Sequence, residues 1–227
     1  MRLAILETGR PDPEVEVRFG RYPAMFEALL GSDAVEAIYD VTQGAFPEEP
    51  DAHGAYLITG SSAGVYDDLP WIDPLKQFLR DAGGETKLVG ICFGHQIMAE
   101  AFGGKVVKSD KGWGIGLHHY AMADGINWIE RGGEIAVPVC HQDQVIVQPP
   151  ASTIIGGNAF CPIGALAYAD RPAISFQFHP EFEPAVFDQL IALIGDEIAD
   201  PAAASASLAE PNDRMRIGGW IKRFVAE

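Results

Sequence analysis

Apolar positions along the chain alternate between two rhythms. Arg2–Leu6, Ala55–Thr59 and Lys87–Ile91 are short, nearly continuous apolar runs, the pattern of buried strands, and Val35–Val41 is strand-like. Between them, apolar residues recur at helical spacing over Tyr22–Leu30, Pro74–Ala82 and His95–Phe102, each stretch closed by glycine. This alternation predicts an α/β fold with a mostly parallel central sheet flanked by helices, of the flavodoxin-like kind. The middle of the chain changes character. Val106-Val107, Gly116–Tyr120, Ile135–Val139, Val145–Val147 and Thr153–Ile155 read as short strands separated by turn residues, a small antiparallel β portion. Ala165–Ala169 and Ala173–Phe178 flank Asp170-Arg171-Pro172 as a hairpin, and Pro184–Ile198 reads as an amphipathic helix opened by proline. One domain over residues 1–199 is expected. Residues 200–227 then divide into an Ala/Ser/Pro-rich linker, Asp200–Pro211, and a helix on which Ile217, Trp220, Ile221 and Phe224 form the apolar stripe that docks on the domain.

Composition narrows the partners. The chain has 227 residues, 48% hydrophobic, enough for one sizeable core. With 16 Lys+Arg against 32 Asp+Glu, the net charge of −16 repels phosphate backbones and anionic lipid surfaces, so neither nucleic acid nor membrane is an expected partner. No apolar run approaches the length of a membrane span, and residues 1–30 lack the apolar core of a signal peptide. Cys92, Cys140 and Cys161 are odd in number and widely spaced, which suggests reduced thiols in a cytoplasmic protein.

The chemistry concentrates in two segments. Gly90-Ile91-Cys92-Phe93-Gly94 places a thiol between two glycines where a buried strand meets a helix, the cysteine form of a nucleophile elbow. Gly90 and Gly94 lack the Cβ atoms that would clash in so sharp a turn, and the helix N-terminus favours the nucleophilic thiolate. Phe178-His179-Pro180-Glu181 supplies a proton carrier. Proline holds His179 extended, so Glu181 at i+2 lies on the same side and can orient the imidazole. Cys92, His179 and Glu181 therefore form a candidate catalytic triad. No metal is expected, because His118, His119, Cys140 and His141 lack ligand spacing, and no nucleotide loop or other cofactor signature is present. Asp143 reads as a turn residue capping its own loop.

The elbow, the His-Pro-Glu segment and the small-residue loop Gly60-Ser61-Ser62-Ala63-Gly64 together resemble the class I glutamine amidotransferase family. The similarity is to stand-alone members like the amidotransferase domain of GMP synthetase. Lys111–Gly116 and His141–Val145 lie where such proteins carry comparable segments. The resemblance implies that Gln96 helps bind glutamine, and that the backbone N–H groups of Phe93 and of Gly60 or Ser61 form an oxyanion hole. The family's loop reads Gly-Gly-Pro-x-Ser, from which this chain departs at Gly60–Gly64. The implied activity is hydrolysis of glutamine to glutamate and ammonia through a γ-glutamyl thioester. Too little chain follows Glu181 for a synthetase domain, so a synthetase partner acting in trans is the expected acceptor. Hydrolysis of γ-glutamyl peptides uses the same triad and is the second reading. A non-catalytic binding protein on the same fold ranks last, since every triad residue is present.

Overall fold

The computed structural model describes residues 2–129 and 132–227. Among the described residues, nine strands form one sheet in the order β2-β1-β3-β4-β11-β10-β9-β6-β7. Its first half is parallel: β2 (Val35–Asp40), β1 (Leu3–Glu7), β3 (Ala55–Ile58), β4 (Lys87–Ile91) and β11 (Ala173–Phe176). β11 then pairs antiparallel with β10 (Ala165–Tyr168), followed by β9 (Ser152–Gly157), β6 (Gly114–Met122) and β7 (Gly133–His141). The expected antiparallel portion is thus continuous with the main sheet. A separate ribbon pairs β5 (Lys105–Lys108) with β8 (Asp143–Val147).

Side chains alternate across the parallel strands, and each face meets its own pair of helices. Leu3, Ile5, Leu57, Val89 and Ile91 join the core that packs α2 (Tyr22–Leu30) and α7 (Arg214–Ala226). Ala4, Leu6, Tyr56, Ile58 and Leu88 face α3 (Ile72–Asp81) and α4 (Phe93–Ala101). Coverage of both faces explains why these strands read as unbroken apolar runs rather than alternating ones. A third cluster joins Ile115 and Phe182 to α1 (Pro13–Phe19), α5 (Pro184–Ile194) and α6 (Pro201–Ser207).

The C-terminal region differs from the sequence reading in two places. The helix expected to reach Ile198 ends at Ile194, where one 3-10 turn, Gly195–Glu197, takes over. The stretch Asp200–Pro211 is not a featureless linker, because Pro201–Ser207 is helical, capped by the Asp200 carboxylate on the Ala203 N–H at 2.9 Å. This short helix is anchored to β6: the Leu117 N–H donates to Ser207 Oγ at 2.9 Å, and a Cβ on Gly116 would lie 2.7 Å from that oxygen. Helix α7 passes through Gly218-Gly219 without a break. Gly218 permits close approach to α2, since an added Cβ would sit 2.9 Å from Leu29 Cδ1.

Candidate active site

β1, β3, β4 and β11 run parallel and in register, so their carboxyl ends share one edge of the sheet. Ligands of open α/β sheets bind outside that edge. The loops leaving it carry Thr8, Gly60, Cys92 and His179.

Cys92 sits between β4 and α4 at φ 51°, ψ −102°, a conformation that a non-glycine residue holds only where its surroundings enforce it. The enforcing contacts are visible. A Cβ on Gly90 would fall 2.5 Å from the Gly94 carbonyl oxygen, and one on Gly94 would fall 2.3 Å from the Ile58 carbonyl oxygen. Both glycines are therefore required by the tightness of the turn. The Cys92 N–H donates to Phe176 O at 2.8 Å and the Gly94 N–H to Thr59 O at 3.1 Å, fastening the elbow to β11 and β3.

His179 and Glu181 are buried in the irregular segment between β11 and α5. His179 Nδ1 and Glu181 Oε1 are 2.7 Å apart, and the ring lies close enough to Cys92 for the two side chains to interact. Burial alone would push the imidazole pKa down. The Glu181 carboxylate and Cys92 outweigh it and hold His179 protonated well above its ordinary range. Phe182 stacks on the ring at 4.3 Å with planes 3° apart, which fixes its tilt. The three residues singled out from the sequence are thus brought together, with His179 hydrogen-bonded to Glu181 and interacting with Cys92.

The candidate oxyanion donors converge on the same spot. Phe93 is the first residue of α4, so its N–H has no intrahelical acceptor. Gly60 touches both partners, since a Cβ there would lie 3.0 Å from His179 Cε1 and 3.8 Å from Cys92 Cβ. Thr8 braces this loop, with its hydroxyl 2.9 Å from Gly60 O and its N–H donating to Thr59 Oγ1 at 3.0 Å. Ser61 lines the adjoining cavity.

Gln96 is one helical turn beyond Cys92 and is buried. Its amide Nε2 donates to Asp143 O at 3.1 Å and to Gln177 Oε1 at 3.2 Å, and Gln177 Nε2 lies 3.6 Å from the Cys92 sulfur. Sequence reasoning missed Gln177; the available signal was a glutamine in the apolar run Phe176-Gln177-Phe178. It also missed Tyr66, and it read Asp143 as a self-capping turn residue. Asp143 instead opens β8, and its carboxylate faces Tyr66, whose phenol is pushed up to about 12 by desolvation and by that carboxylate. Tyr22 was also unforeseen: burial, then the nearness of Cys92 and Glu181, drives its phenol upward.

These groups open on a cavity of about 550 Å³. One part is polar, lined by Ser61, Tyr66, Gln96, Lys108 and Asp143. The other is an apolar wall of Val15, Val186, Leu190, Leu193 and Ile194 that continues from Phe182 on the His179 side. No helix among the described residues is long and apolar enough to cross a membrane.

Comparison with known proteins agrees with this geometry. The family model for glutamine amidotransferase class-I matches residues 58–193. A glutamine amidotransferase-like protein of Schizosaccharomyces pombe is 30% identical over 245 residues, covering 99% of this chain and 98% of that protein. Gamma-glutamyl peptidase 3 of Arabidopsis thaliana is 28% identical over 93% of this chain and 91% of its own length. A GMP synthase of Azoarcus sp. is 34% identical, but over 63% of this chain and 28% of that protein. A glutamine amidotransferase structure from Thermotoga maritima superposes over 100% of both chains with a TM-score of 0.77 at 18% identity, a likeness of fold. The elbow, the relay and these matches together establish that the chain belongs to the class-I glutamine amidotransferase family.

Proposed function

We propose that this protein hydrolyses γ-glutamyl amide bonds through a thioester on Cys92, and that its leaving group is larger than ammonia. The size of the leaving group is read from the cavity: at about 550 Å³ it lies within the range of about 300–1,000 Å³ used for drug-sized ligands, and one glutamine fills only a fraction of it. Similarity along nearly the full chain to a γ-glutamyl peptidase supports the same reading. This reverses the order of preference drawn from the sequence, which placed glutamine first.

The Cys92 sulfur attacks the γ-carbonyl carbon, and the N–H groups of Phe93 and of Gly60 or Ser61 receive the developing oxyanion. His179, charged and aligned by Glu181, donates its proton to the departing nitrogen, because an amine leaves poorly without one. The carbon–nitrogen bond breaks and a γ-glutamyl thioester remains. Neutral His179 then takes a proton from water as it attacks the thioester, and collapse of that adduct expels the sulfur, releasing glutamate and restoring the thiolate–imidazolium pair. Asp143 and Lys108, cross-strand neighbours on β8 and β5, suit the α-ammonium and α-carboxylate of the glutamyl group. The apolar wall beside His179 suits the leaving group, since that is the side on which the proton is delivered.

The test compares kcat/KM for a γ-glutamyl dipeptide with that for glutamine. A ratio of about 100 or more, equivalent to about 2.7 kcal/mol of transition-state preference, is expected. A ratio near or below one would favour the glutaminase reading, which the GMP synthase match supports, with a synthetase acting in trans.

A further inference from the structure

Arg214 is the first residue of α7, outside residues 58–193 that carry the family signature. Its guanidinium reaches back to the His179-Pro180-Glu181 segment, where Nε donates to Pro180 O at 2.8 Å and Nη2 donates to Glu181 O at 3.2 Å. We propose that Arg214 is a positioning residue that holds the His179–Glu181 pair in line with Cys92.

Three observations carry this. First, the segment has little regular structure of its own. It runs between β11 and α5, Pro180 has no N–H to donate, and both residues are buried. Two successive carbonyl groups there need donors, and a planar guanidinium fork satisfies both while fixing their relative orientation. Second, the fork is mounted rigidly. Asp213 is tied to β7 in both directions, its N–H to Ala136 O at 2.7 Å and the Ala136 N–H to its Oδ2 at 2.9 Å. Behind it, Ile217, Trp220 and Ile221 are fully buried. The same strand holds the other end of the segment, since the His179 N–H donates to Pro138 O at 2.9 Å. α7, β7 and the His-Pro-Glu turn therefore close a mechanical loop around the imidazole. Third, the relay has little slack to spare. Glu181 Oε2 meets no protein donor among the described residues, so the Glu181 carboxylate is aimed by its backbone and by the single contact to His179. Misplacement of such a pair by about 1 Å costs on the order of 100-fold in rate.

The test uses the full chain and two variants, Arg214→Ala and Arg214→Lys. The first readout is the rate at which iodoacetamide alkylates Cys92, which needs no substrate. The second is hydrolysis of γ-glutamyl-p-nitroanilide, with kcat expressed per alkylatable Cys92 so that unfolded material does not count. Arg214→Ala is expected to slow alkylation at least threefold and lower kcat at least tenfold, with KM within about threefold of the parent. Arg214→Lys, which retains the charge but offers a point donor in place of a fork, should fall between the two. Parental alkylation rate and parental kcat in Arg214→Ala would overturn the proposal, as would a loss confined to KM. The turnover readout rests on the proposed hydrolysis of γ-glutamyl amides. If the parent leaves the anilide intact, that reading fails, and the alkylation rates alone decide for or against Arg214.

Discussion

The three thiols of this chain differ in environment far more than in chemistry. Burial pushes Cys140 and Cys161 each up to about 12, whereas Cys92 stands at a helix N-terminus in contact with the His179 ring. A diazo- or chloroketone analogue of glutamine should therefore alkylate Cys92 alone. Peptide mapping checks this, and label shared among the three cysteines would dissolve the assignment. The relay gives a second expectation. In the proposed mechanism His179 carries the proton and Glu181 only orients it, so His179→Ala should lower kcat by about 10³-fold or more and Glu181→Gln by less, about 10²-fold. Steady-state kinetics on a γ-glutamyl amide would read the order directly, and a reversed order would reassign the roles.

At the scale of elements, two glycines that each make a close approach, Gly94 in the elbow and Gly218 in α7, separate clearly in the structure. An alanine at Gly94 must push against the Ile58 backbone carbonyl, which the sheet holds in place, so Gly94→Ala should cost about 3 kcal/mol or more of stability, or abolish turnover by opening the elbow. An alanine at Gly218 meets Leu29 Cδ1 and Cγ, side-chain atoms that can shift where a sheet carbonyl cannot, and helix propensity partly offsets the crowding. Gly218→Ala should change stability by about 1 kcal/mol or less. Urea denaturation of both variants tests the contrast, and equal costs would mean that the α2–α7 contact is as unyielding as the elbow. The elements that escaped sequence reading fail for identifiable reasons. In α1, Pro13-Glu14-Val15-Glu16-Val17 alternates like a strand, with Val15 buried and Val17 90% exposed. Its Asp12-Pro13 cap was the helical signal. In α6, composition suggested a linker, while the same Asp-Pro cap at Asp200-Pro201 marked the helix.

Over the whole molecule, buried histidines tie stability to pH. Burial depresses His95 to about 4 and His141 to about 3, although backbone carbonyls of Ile163 and Asp143 respectively pull the other way. In the unfolded chain both titrate near 6.5, so between that value and the folded values the unfolded state binds more protons. The stability contributed by these two histidines is then fully present above about pH 6.5 and is lost as pH falls, with His95 alone contributing about 2–3 kcal/mol between pH 7 and pH 4.5. Urea titrations at the two pH values should show that loss, reduced in His95→Gln; an unchanged pH difference in the variant would exclude His95 as its source.

The sequence by itself determined the parallel half of the sheet, the sharp turn at Cys92 and the contact between His179 and Glu181. Each is written in local terms: an apolar run buried on both faces, two glycines flanking a thiol, and an extended tripeptide whose outer residues share a side. The tertiary structure alone decided the placement of Asp143, Tyr66, Gln177 and Arg214, and the apolar wall that widens the cavity. Those residues come from β8, a loop, β11's extension and α7, so their shared purpose depends on distances between distant segments of chain, which no local pattern encodes.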